Sequence, residues 1–194
     1  MPVHMRSYVR QFIAIPKIDD QIAAQYFYPG DVEVHDVWMK VHILTHEMSH
    51  GIDFFALQQY GSPFSFTDQW QSNYALDSNS VSDYAKNNWQ ENFAEVGRIG
   101  VYDKVVPGGI GSIQPNWNKI FHQYATYQGY LGDTILPGGS CRDRVNNTAP
   151  VPMSSSARFN LGPQPDVSFK SGVRIVEVDP DLANLTFVNP EKRS

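Results

Sequence analysis

Cysteine is almost missing from this 194-residue chain: Cys141 is the only one. No disulfide can therefore form within it, which suits a reducing compartment and equally a secreted protein paired elsewhere. No apolar run approaches the roughly 18 residues of a membrane-spanning helix, so no membrane span is expected. Nor is there a block of lysine or arginine. The 15 basic residues stand against 20 acidic ones, a formal net charge of -5. Nucleic-acid binding leaves a clustered basic footprint, so no nucleic-acid partner is expected. Met1 to Ile15 lacks a basic stretch followed by an apolar core, and no signal peptide is expected there. Gly108-Gly109-Ile110-Gly111 is glycine-rich but lacks the Lys-Ser/Thr of a phosphate-binding loop, and reads as a turn.

What is abundant is aromatic: 11 Phe, 10 Tyr and 4 Trp, with 41% hydrophobic residues in all. Such rings bury large areas, and the length suffices for one sizeable core. Arg6 to Ile15 alternates as a strand would, ended by Pro16. Tyr28-Pro29-Gly30-Asp31 is a turn. Asp36 is a candidate N-cap for a helix from Val37 to about Tyr60, with Gly61 as its stop. Trp38, Val41, Leu44, Met48, Ile52 and Phe55 recur at helical spacing, and Phe54 and Leu57 widen that stripe, so a deeply buried helix is expected. Ser62 to Ser82 reads as a loop or broken helix. A second helix is expected from near Asn88 to about Tyr102, and a third from Pro115 to about Tyr130.

From Leu136 the texture changes to Pro, Gly and Ser, with possible strands at Val173 to Val178 and Leu185 to Val188. The expected fold class is α+β, mainly helical, with a small sheet before the long helix and a loop-rich C-terminal tail. The expected division is a domain over 1–132 and an extension over 133–194 that packs on it or trails from it.

Within the first long helix, Thr45-His46-Glu47-Met48-Ser49-His50 contains HExxH. Residues four apart lie one turn up the same face, so both imidazoles can aim at one ion. Zinc bonds histidine nitrogen at about 2.0–2.1 Å, within reach of both rings. Glu47, one residue round from His46, can accept a proton from water without binding the metal. The bland alternative makes His46 and His50 ordinary helix residues and Glu47 a solvated one. Burial weighs against it, because polar groups among Leu44, Met48 and Ile52 need partners.

A catalytic zinc site needs a third protein ligand and an open position. Asp53, Glu91 and Glu95 are the candidates. Asp53 shares a face with His50, but a carboxylate further along a straight helix points at the ion poorly. Glu91 and Glu95 lie four apart in Asn88-Trp89-Gln90-Glu91-Asn92-Phe93-Ala94-Glu95, so one can ligate while the other hydrogen-bonds a ligand imidazole. Against Glu91 stands a capping box with Asn88, in which the glutamate only closes the helix start. For Glu95 the alternative is a solvated helix face. Upstream HExxH favours Glu91 as the ligand.

HExxH followed by a glutamate on a later helix is similar to the gluzincin pattern among zincin metallopeptidases. Tyr84 to Glu95 resembles the anthrax lethal factor family, with its tyrosine, asparagine and Glu-x-Phe-Ala-Glu at the same internal spacing. His46 to Asp53, HEMSHGID, resembles that family's HExGHxxD, with Ser49 in place of the glycine. The resemblance covers about residues 36–130 and is dense only in these two motifs. It implies a zincin-like catalytic domain over 1–132, short on its N-terminal side. It implies Zn2+ held by His46, His50 and Glu91, with Glu47 as general base. Tyr84 becomes a hydrogen-bond donor to the transition state, and Glu95 and Asp53 become supports behind the ligands. Function would be hydrolysis of a protein or peptide substrate. The alternatives are a non-catalytic binding module of the same fold and an inert surface structural protein.

His42, His35 and His122 read as satisfied helix, core or surface residues, and Cys141 as an unreactive thiol. Two sequons, Asn146-Asn147-Thr148 and Asn184-Leu185-Thr186, are about what chance supplies. The texture also resembles secreted fungal proteins, which favours an extracellular location. Oligomeric state is left open.

Overall fold

Two helices, α2 (Val41–Phe55) and α4 (Trp89–Val105), pack along each other and set the frame on which everything else is arranged. The computed structural model describes residues 1–15, 22–35, 40–139 and 144–146. Within them the architecture is mixed α+β, with a one-turn α1 (Val3–Arg6), α3 (Asp68–Tyr74), α5 (Phe121–Leu131) and a three-stranded sheet. The strands β1 (Gln11–Ala14), β2 (Ala24–Phe27) and β3 (Asp31–Val34) lie in the order β1-β3-β2. β1 runs parallel to β3 and β2 antiparallel to it, with Tyr26 opposite Val32. β2 is thus an edge, and it is the strand that packs on α2.

The expected strand over residues 6–15 is shorter than its alternation suggested, because the first turn of the chain is helical through Arg6. The long helix is also shorter at both ends. Lys40 is extended (φ -85°, ψ 146°), so the helix begins at Val41 and not at Val37. It ends at Phe55, and the chain turns through residues 57–60 until Gly61, whose φ of +137° suits glycine. The expected cap Asp36 lies outside the described residues. So do Cys141, the strands expected at Val173 to Val178 and Leu185 to Val188, and the second sequon.

Every residue of α2 from Thr45 to Asp53 is buried. Beside it four rings form an aromatic cluster: Trp70 and Phe93 at 4.7 Å, Phe93 and Tyr127 at 5.0 Å, with Phe64 at 6.1 Å from Phe93. Ser62 to Ser82 contains a 3-10 turn at Phe64–Phe66 and α3, whose start Thr67 caps by accepting the Trp70 N–H. The third helix does not begin at Pro115. A 3-10 turn at Trp117–Ile120 comes first, and the buried Asp77 carboxylate accepts the His122 and Gln123 N–H groups to start α5. The expected boundary at 132/133 falls within a 3-10 turn, Gly132–Ile135, whose Ile135 is part of the core.

Candidate metal centre

α2 carries His46 and His50 one turn apart, and their rings meet edge to face at 4.9 Å between centroids. α4 begins at Asn88, whose side-chain oxygen accepts the Glu91 N–H at 2.9 Å. That is half of the capping box. The other half is not made, because the Glu91 carboxylate turns to the histidines. Its Oε2 stands 3.1 Å from His46 Nε2 and 3.7 Å from His50 Nε2. The three ligand atoms lie within 4.8 Å of one another. Tetrahedral bonds of about 2.05 Å would set neighbouring ligands about 3.3 Å apart. These spacings fit a single ion with little adjustment. Glu91 Oε2 is moreover buried, and its 3.1 Å approach to His46 Nε2 is not aligned as a hydrogen bond.

The other polar residues buried on α2 have partners. His46 Nδ1 donates to Glu95 Oε1 at 2.9 Å, which turns its Nε2 toward Glu91 and His50. Arg98, one turn past Glu95, donates to both oxygens of that carboxylate. Ser82 Oγ donates to Glu95 Oε2 at 2.7 Å and accepts the Ala85 N–H at 3.0 Å, which ties Glu95 to the 3-10 turn Tyr84–Lys86. Glu47 is buried and its carboxylate accepts the main-chain N–H of Tyr26.

Asp53 is not brought to this group. Its two oxygens accept the Ser65 N–H and Ser65 Oγ–H, both at 2.7 Å, so it holds the segment after α2 in place and supports no ligand directly. Tyr84 is 53% exposed, with its ring 5.9 Å from that of His46.

Charge follows this geometry. Burial alone would lower the His46 pKa, but the neighbouring Glu91 and Glu95 carboxylates outweigh it and raise the value to about 9. His50, buried beside His46 and with less help from carboxylates, is lowered to about 4. Burial pushes Glu47 up to about 7. Burial would also raise Glu95, but His46 and Arg98 hold it down at about 2, and the histidines hold Glu91 below the usual carboxylate range. Burial and the surrounding carboxylates raise the Tyr84 hydroxyl.

A cavity of about 420 Å³ opens over this cluster, lined by His46, Glu47, His50, Tyr84 and Glu91 on one side and by β2 on the other. Among the described residues β2 has no strand on its other side, and that edge can be located from its pairing. His35 N–H donates to Ala23 O, and hydrogen-bonded pairs alternate along an antiparallel ladder. Gln25 and Phe27 therefore face β3, while the main-chain groups of Ala24 and Tyr26 face away from it. The Tyr26 N–H that reaches Glu47 is one of these.

Ser82, Arg98 and Tyr26 were not anticipated as contributors. Arg98 had a signal, its i,i+3 spacing from Glu95. Ser82 and Tyr26 had none, since their contacts are tertiary. His122, whose spacing suggested no partner, pairs with Asp77 at 2.9 Å. His42 lines an adjoining hollow of about 250 Å³ with Arg98 and is not a member of the ligand group. No protein-family model, characterised protein or solved structure matches the chain.

Proposed function

We propose that this chain is a zinc-dependent peptidase of the gluzincin type, with His46, His50 and Glu91 as the residues that hold the ion. The observation that carries this reading is convergence. Two imidazoles from one helix and a carboxylate from another meet at ligand spacing, around a buried Glu91 oxygen 3.1 Å from His46 Nε2. Zinc, when bound, supplies a Lewis acid and a water of lowered pKa.

The remaining work belongs to the chain. Glu47 takes a proton from the attacking water and passes it to the leaving amine, a role worth about 10²–10⁴-fold in rate. The Tyr26 N–H keeps its carboxylate aimed into the cavity. Glu95 and Arg98 fix the His46 ring so that Nε2 faces inward. Tyr84 at the cavity mouth donates its hydroxyl proton to the oxyanion of the tetrahedral intermediate.

The free edge of β2 favours a polypeptide over a small molecule. An extended chain can pair with the outward main-chain groups of Ala24 and with the Tyr26 carbonyl. Its scissile bond would then lie between β2 and the Glu47 carboxylate.

The test is hydrolysis of a peptide library by the zinc-loaded protein, beside a Glu47→Gln variant. The variant should keep one zinc and lose turnover by at least about 10²-fold. Unchanged turnover removes Glu47 from this mechanism. Zinc retained by wild type without hydrolysis of any peptide would favour a non-catalytic binding module.

A further inference from the structure

One face of α5 is left unfilled. His122, Ala125, Thr126, Gly129 and Tyr130 recur at three- and four-residue spacing and so share one side of that helix. Tyr60, from the turn after α2, and Asn73, from α3, complete the lining of a cavity of about 460 Å³ there. Its volume lies in the range of small-molecule sites. It shares no lining residue with the cavity over the metal centre.

The polar groups of this second cavity are held in place. Asp77, whose side chain is 1% exposed, accepts the His122 Nδ1–H at 2.9 Å and the His122 main-chain N–H at 3.0 Å. That leaves Nε2 as the nitrogen the ring offers to a ligand. Asn73 donates one amide N–H to Gln69 O at 2.8 Å, which orients the rest of its amide. Among the described residues neither His122 Nε2 nor the Asn73 side-chain oxygen has a hydrogen-bond partner. Tyr60, 48% exposed, meets Tyr130 edge to face at 4.9 Å. Glycine is a weak helix former, yet it occupies position 129, where a β-carbon would meet no atom outside its own stretch of helix within 4 Å. No packing contact requires glycine there. Its effect is to keep the floor of the cavity open.

We propose that this cavity is a binding site for a neutral saccharide, separate from the metal centre and independent of the peptidase reading. No lysine, arginine, aspartate or glutamate lines it, so a phosphate, carboxylate or ammonium group would find no opposite charge. Sugar hydroxyls both donate and accept, and so can satisfy the imidazole Nε2, the amide oxygen and the second amide N–H together. The C–H face of a pyranose is apolar and can lie on the exposed Tyr60 ring. A nucleobase would be stacked best between two parallel rings, and Tyr60 and Tyr130 stand at 87° to each other.

The test is calorimetry and saturation-transfer NMR of the full chain with cellobiose, chitobiose, maltose and mannobiose, and with adenosine. At least one disaccharide should bind with a Kd of about 1 mM or below. Gly129→Leu fills the floor of the cavity with a better helix former. It should melt no lower than wild type and weaken that binding at least about tenfold. His122→Ala keeps the main-chain bond to Asp77 and should weaken binding by about tenfold as well. Failure of all four disaccharides to bind at about 10 mM overturns the site, as does binding of adenosine alone. A sugar affinity unmoved by either substitution overturns it too.

Discussion

The Ser49 hydroxyl faces Gly97 across the contact between α2 and α4, with no room for a side chain between them. A β-carbon at position 97 would overlap that hydroxyl and stand 2.9 Å from the Ser49 β-carbon and 3.0 Å from the Tyr127 hydroxyl. Ser49 Oγ itself donates to Thr45 O at 2.7 Å and accepts from Tyr127 at 2.9 Å, so it cannot swing away without loss. The close approach that lets Glu91 reach two histidines depends on this glycine. Gly97→Ala should cost about 1–3 kcal/mol of stability by overpacking and weaken metal binding as the helices part. Thermal denaturation and zinc titration read both effects. Ser49→Gly in the same chain should restore part of each, because the two positions share one contact.

Glu47 lies buried with its pKa raised to about 7, by burial above all. A carboxyl raised on folding contributes stability that is present below its unfolded value near 4.5 and lost as pH rises through the folded one. Metal-free protein should therefore be destabilised at pH 8, by about 3 kcal/mol from this group. Glu47→Gln cannot ionise, while its carbonyl can still accept the Tyr26 N–H. The variant should raise the metal-free melting temperature at pH 8 and change it little at pH 4. Equal shifts at both would mean that ionisation of Glu47 is not what burial opposes.

Ser82 joins Glu95, the partner of His46, to the turn that bears Tyr84. Ser82→Ala should cost about 1 kcal/mol of stability, leave zinc content unchanged and slow hydrolysis by about tenfold. In a Tyr84→Phe background the same change should slow hydrolysis no further. A loss of equal size in both backgrounds would mean that Ser82 acts through Glu95 and His46 instead.

How much of this was legible beforehand follows from the range of each interaction. HExxH is a within-helix pattern, and Met48 and Ile52 gave that helix its period, so His46, Glu47 and His50 could be placed on one element from sequence. The Asn88 cap could be read the same way, and with it the start of α4. Only the fold could decide where the Glu91 carboxylate goes, because the capping alternative was chemically sound and half of it is made. Asp53 shares a helix face with His50, as its spacing says, but the returning segment at Ser65 takes both of its oxygens. The strands Ala24–Phe27 and Asp31–Val34 went unread because four residues are too few to establish alternation. The cavity wall they build was hidden with them.

The central claim is that α2 and α4 together deliver three side chains to one ion. Its most direct test is the zinc affinity and stoichiometry of wild type beside Glu91→Gln, with the fold of each checked by circular dichroism. The account predicts one zinc per wild-type chain and an affinity at least about 100-fold weaker in the folded variant. Folded Glu91→Gln that binds zinc as tightly as wild type would contradict it.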